Sequence, residues 1–168
     1  MWSAILCGVH PITFSMQFRG QTTPLEPGVL TARASAPSGA LVTRIDGSGV
    51  HATFQAVEGD EALLERRLTF FDETSFEEVG TISFGNGNAL RFRSVDAGAL
   101  VPSPDPQLRQ GTSAWEIDGG AGAFAEATGR IVSNFLVSET GELTDHELGV
   151  LFIPSPGSPE ANGGRSER

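Results

Sequence analysis

The chain has 168 residues, carries a formal charge of −10 with a pI near 4.6, and draws all 11 of its basic residues from Arg. Nucleic acid and anionic membrane surfaces both require a basic footprint, so this balance argues against either as a partner. A single cysteine, Cys7, leaves neither an internal disulfide nor a cysteine cluster for a metal.

One domain is the default at this length, and a chain of this size buries roughly 70% of its unfolded surface, enough for a core without staples. The start, "MWSAILCGVHP", is apolar for only about six residues, without a basic flank. It fits neither a signal segment nor a membrane span. The stretch from Pro154, "PSPGSPEANGGRSER", has no apolar anchor and reads as a disordered tail. The expected organisation is an N-terminal extension over 1–10, a folded domain over 11–153 and a tail over 154–168. A cytoplasmic protein is expected, and the absence of Lys beside abundant Gly, Ala and Arg suggests a GC-rich, bacterial genome.

Helical periodicity is nearly absent, and short alternating runs separated by Gly, Pro, Asn and Asp recur along the chain. In "ITFSMQFRG", Ile12, Phe14, Met16 and Phe18 share one face. "GVLTARASA" and "ALVTRI" give two more strands. "GVHATFQAV" groups Val50, Ala52, Phe54 and Ala56 opposite His51, Thr53 and Gln55. "LLERRLTFFD" puts Leu64, Leu68 and Phe70 on one face together with Arg66 and Asp72, although its start, "DEALLERR", also suits a helix on propensity. "EEVGTISFG" and "ALRFRSV" are joined by Asn86-Gly87-Asn88, a hairpin signal because Asn and Gly accept positive φ cheaply. After a Pro-rich loop, "VPSPDPQ", come "GTSAWEID", "RIVSNFLVS" and "HELGVLFI", the last two linked by the turn "ETGEL". About nine or ten strands with tight turns predict an all-β sandwich or closed barrel.

Between "GTSAWEID" and "RIVSNFLVS" lies "GGAGAFAEATG", which fits the loose dinucleotide pattern G-x-G-x-x-A. That loop needs a crossover helix of a dozen residues or more before the next parallel strand. Here Gly129 follows Ala125 by four residues, so the glycines form a tight corner, with Phe124 closing one end of the core. The run Trp115-x-Ile117-x-Gly119-Gly120-x-Gly122-x-Phe124-Ala125-x-Ala127-Thr128-Gly129 resembles the allene oxide cyclase/dirigent-like barrel superfamily. The resemblance covers residues 110 to 152, and Ala121 stands where the family motif often has Thr. It implies a single closed antiparallel barrel of about eight strands, a calycin-like cup with an apolar cavity open at one end. It further implies a cyclase or stereo-directing protein that moulds reactive hydrophobic molecules without an organic cofactor, often as a homodimer or homotrimer. The catalytic side chains of that family lie outside the shared motif, so none is carried over.

Polar residues on otherwise apolar strand faces supply the site candidates. His146 shares a face with Leu148, Val150 and Phe152: a general acid/base, or a rim histidine. Asn134 shares a face with Val132 and Leu136, to bind a substrate carbonyl or to satisfy buried backbone. Glu65 would be a base of raised pKa if enclosed, or one half of an outer-wall charge pair with Arg67. Trp115, Phe92, Phe54 and Phe135 are candidate cavity walls. Arg91 lines the cavity only if Leu90 and Phe92 face outward. Asp60-Glu61 and Glu77-Glu78 read as solvated faces. His10, His51 and His146 lack metal-ligand spacing, and no metal is expected. The leading reading is a cofactor-independent cyclase or isomerase acting on a hydrophobic intermediate of secondary metabolism, polyketide or terpenoid. The alternatives are a lipocalin-like carrier and a structural protein with a filled barrel.

Overall fold

The computed structural model describes residues 8–155. Eleven strands account for most of them: β1 Val9–Glu26, β2 Val29–Ala36, β3 Gly39–Asp46, β4 Gly49–Ala56, β5 Ala62–Phe70, β6 Ser75–Ser83, β7 Ala89–Ser94, β8 Gly98–Pro102, β9 Leu108–Ala121, β10 Thr128–Ser138 and β11 Glu142–Pro154. "DEALLERR" is strand from Ala62 onward, since tertiary pairing on both sides overrides its helical propensity. The expected extension, with Cys7, and most of the expected tail lie outside the described residues. Within them, β1 already begins at Val9, paired with Pro154.

Antiparallel pairing runs from β1 through β2, β5, β6, β7, β9, β10 and β11, and β11 pairs back onto β1. The sheet therefore closes into a barrel of eight strand positions, which leaves no open edge. Eight is the number that the family resemblance implies, whereas the alternating runs alone count nine or ten. Residues 98–102, whose last two open the Pro-rich loop read from the sequence, form β8, which occupies the same position as β7 between β6 and β9 after a break at residues 95–97. β3 and β4 pair only with each other and form a hairpin outside the barrel. Their alternation is genuine, but Leu41, Ile45, Val50 and Phe54, on the hairpin's apolar face, cover the barrel wall only at its base. At the tip, Ile45 is 77% exposed and Val50 69%.

The core is the inner face of the barrel: Phe18, Leu64, Leu68, Phe76, Ile82, Leu90, Trp115 and Ile131 are fully buried. Asn86 (φ 52°) and Gly87 (φ 76°) form the hairpin turn expected between β6 and β7. The glycine-rich corner joins β9 to β10 through a single 3-10 turn, Gly122–Phe124. Gly122 has φ 61°, and a side chain there would collide with Asn88, whose Oδ1 accepts a hydrogen bond from the Ala123 N–H at 2.9 Å. Phe124 packs on Phe84, ring centroids 5.2 Å apart, at one mouth of the barrel. Among the described residues, no helix is long and apolar enough to cross a membrane.

Candidate active site inside the barrel

The middle of the barrel is charged. Arg66 of β5 points inward, flanked across the sheet by Ala32 of β2 and Gly80 of β6, whose small size leaves room for its long side chain. The guanidinium reaches the far wall. Its Nη1 lies 2.9 Å from Asp145 Oδ2 on β11 and 3.3 Å from Glu78 Oε2 on β6, and donates to Ser133 Oγ on β10 at 3.3 Å. Ser133 passes the interaction on, donating from Oγ to the Asp145 carboxylate at 2.8 Å. Trp115 Nε1 donates to Glu78 Oε1 at 2.6 Å. Its indole is stacked on Phe92 at a centroid distance of 3.8 Å and 9° between planes. The Arg66 guanidinium carbon also sits 4.7 Å from the Phe135 ring centroid and 5.6 Å from that of Trp115, within cation–π range.

Glu147 is the odd member of this cluster. It is 2% exposed, and both its carboxyl oxygens lack a hydrogen-bond partner. Burial pushes its pKa well above the usual carboxylate range. The neighbouring Asp145 and Glu78 push the same way, while Arg66 opposes them. The neutral, protonated form of Glu147 is thereby favoured over the carboxylate. Burial works against the charge on Arg66, but Glu78, Asp145 and Glu147 outweigh it and raise its pKa above the ordinary guanidinium value. A sealed cluster of this kind is a weak source of stability, because desolvating each ion costs several kcal/mol. Groups whose environments drive their pKa values apart are instead typical of acid–base sites.

Above the cluster lies an apolar mouth. A cavity of about 370 Å³ is lined by Ile12, Phe14, Phe84, Phe124 and Leu151 and by the base of the hairpin at residues 37–39. On β11 the inward positions descend from Leu151 through Gly149 to Glu147, so the acid sits four residues below the mouth, roughly 13 Å along the strand. The Phe14 ring occupies the space beside Gly149: a Cβ there would lie 2.5 Å from it. Phe14 thus stands between the mouth and Glu147.

The sequence candidates divide between two faces of the wall. Trp115, Phe92 and Phe135 are buried in the barrel against the cluster. Arg91 points outward, as it must when Leu90 and Phe92 face the core, and donates to the Asp118 carbonyl at 3.1 Å. Glu65 is not enclosed: it lies on the outer wall, 52% exposed at its side chain, 3.7 Å from Arg33. The expectation that His146 and Asn134 face the cavity is corrected, since Asp145 and Glu147 occupy the inner face of β11 and Ser133 and Phe135 that of β10. His146 is directly opposite Asn134 on one side and Gln17 on the other. With Phe54 and Leu41 of the hairpin they line a groove of about 220 Å³ on the outer surface. The expectation that Glu78 is solvated is also corrected: its side chain is sealed inside, whereas Glu77 is exposed.

Arg66 is the group that the sequence pattern already placed on an apolar face. Glu78, Asp145, Glu147 and Ser133 carried a weaker signal, because they stand in strands with apolar residues on both faces. Among the described residues, no group of three or more His, Cys, Asp and Glu is arranged to hold a metal.

Among solved structures the chain is similar to a pterocarpan synthase dirigent protein, at 13% identity over 90% of each chain and a TM-score of 0.52. The fold is a dirigent-type barrel. The sequence-level resemblance to that superfamily is thereby supported at the level of architecture; the glycine motif itself is not tested by it. No protein-family model and no curated protein matches the sequence. The dirigent-type barrel encloses its core within one sheet, and the charged cluster spans that core from β5 and β6 to β10 and β11.

Proposed function

We propose that the protein is a cofactor-independent isomerase or cyclase in which Glu147 is the general acid for a hydrophobic small molecule entering through the mouth beside Phe14. The observation that carries this reading is a buried carboxyl group without a hydrogen-bond partner, its pKa raised by burial, in one inner cluster with a guanidinium and below an apolar cavity. Glu147 would transfer its proton to the substrate, and the resulting carboxylate, stabilised by Arg66, would take a proton back from a neighbouring substrate atom. Nothing is gained or lost, so the product is an isomer of the substrate. The barrel walls supply the conformation: an apolar pocket holding a flexible molecule in one fold lowers the barrier by proximity and orientation. The dirigent-type architecture supports this reading, as does the neighbour's description as a pterocarpan synthase. Apolar residues exposed on the outer wall, with Leu148 at 57%, Phe152 at 44% and Val132 at 41%, support assembly into a homodimer or homotrimer.

The test pairs uptake with turnover. A neutral fluorescent probe such as N-phenyl-1-naphthylamine is expected to bind, and Phe124→Asp at the mouth is expected to weaken it at least tenfold. With reactive, cyclisable polyketide or terpenoid intermediates, wild-type protein is expected to shift the product ratio from that of the spontaneous reaction. Glu147→Gln should restore the spontaneous ratio without loss of probe binding. Probe binding with an unaltered product ratio across the panel would instead identify a carrier.

A further inference from the structure

We propose that the group the barrel recognises on its ligand is an uncharged carbonyl oxygen, a ketone or enone, held on the free edge of the Arg66 guanidinium. This rests on the reading of the barrel as a cup for a hydrophobic molecule and adds to it the chemical class of that molecule.

The five N–H groups of Arg66 fall into two sets. Nη1 faces Glu78, Asp145 and Ser133. Nε and Nη2 are buried and have no hydrogen-bond partner. In a planar guanidinium, the Nε–H and one Nη2–H are parallel and point the same way, a fork built for an acceptor with two lone pairs. Each buried unpaired donor costs about 1–3 kcal/mol, so the edge strongly favours a ligand that supplies an acceptor.

Charge then selects among acceptors. A carboxylate or phosphate suits the fork geometrically, but the one guanidinium already faces two paired carboxylates, Glu78 and Asp145, in a medium where like charges repel strongly. An added anion would meet surplus negative charge. A cationic ligand suits that surplus but offers no lone pairs to the two N–H groups. A neutral carbonyl oxygen satisfies both constraints. The unpaired Glu147 carboxyl lies in the same cluster as a further donor.

The test uses the full chain and three probes of one size: acetophenone labelled with carbon-13 at the carbonyl, benzoate and benzylammonium. Acetophenone is expected to bind at least tenfold more tightly than either ion. Its carbonyl resonance should move downfield on binding, as polarisation by two N–H donors requires. Arg66→Lys keeps the charge but loses the fork, and should abolish the downfield shift. Should that variant fail to fold, the ranking of the three probes and the shift in wild-type protein decide the matter alone. Tighter binding of either ion, no binding of acetophenone, or bound acetophenone with an unshifted carbonyl would each overturn the proposal. Uptake of the naphthylamine probe reads the cup separately, so a cup without carbonyl recognition is distinguishable from no cup at all.

Discussion

The two faces of β11 reverse the usual rule for a half-buried strand. Its outer face, Thr144, His146, Leu148, Val150 and Phe152, is the more continuously apolar. Its inner face carries Leu143, Asp145, Glu147, Gly149, Leu151 and Ile153, with two carboxyl groups at the middle of the barrel. An apolar outer wall costs little and suits a protein partner. An acidic inner wall is expensive, and here it is held by one guanidinium and one hydroxyl. Where a strand has apolar residues on both faces, the costly residues mark the working side.

Four substitutions set the two faces against each other, and the largest effect belongs inside. Arg66→Met leaves Glu78 and Asp145 facing each other without a counter-charge, and urea denaturation should show a loss of about 3–5 kcal/mol. A loss below about 1 kcal/mol would mean that the inner cluster does not depend on its cation. Trp115→Phe keeps the ring stacked on Phe92 but deprives Glu78 Oε1 of its 2.6 Å donor. Removal of a hydrogen bond to a charged group should cost about 2 kcal/mol by the same assay.

The pH dependence of stability is the next contrast. Because the folded-state pKa of Glu147 lies above the unfolded value, the folded state binds the extra proton. Its favourable contribution is complete below the unfolded pKa of about 4.3 and is lost as pH rises through the folded pKa. Glu147→Gln cannot titrate, so its stability relative to wild type should improve steadily as pH rises over that range. A pH-independent difference would remove the neutral acid from the account. The smallest effect belongs outside. Glu65→Gln breaks an exposed 3.7 Å ion pair with Arg33 and should change stability by less than about 1 kcal/mol.

Most of the architecture was legible in the sequence because strand alternation and turn chemistry are local. Asn86-Gly87 and the glycine corner at 119–129 state their backbone needs in residue identity alone. The closure number of eight came from the family resemblance and not from counting strands: whether β3 and β4 join the barrel depends on what lies beside them, and nothing local distinguishes a wall strand from an outlying hairpin. The aromatic walls at Trp115, Phe92 and Phe135 followed from alternation. The acidic residues did not, because β10 and β11 carry apolar residues on both faces, with Val132, Leu136, Leu148 and Val150 outside, so counting them does not single out the inner face. A one-residue change of register exchanges the two faces completely. Arg66 was the usable clue: a guanidinium fixed among Leu64, Leu68 and Phe70 requires acidic partners inside, and it argues for the register that places Asp145 and Glu147 there.

The central claim is that Glu147 is a neutral acid inside the barrel, and its own titration tests this most directly. Carbon-13 NMR of the Glu side-chain carboxyl resonances, with Glu147 assigned by its absence in Glu147→Gln, follows its protonation across pH. The account predicts a resonance that keeps its protonated position after the exposed glutamates have titrated. A Glu147 resonance that titrates together with those exposed glutamates would contradict it.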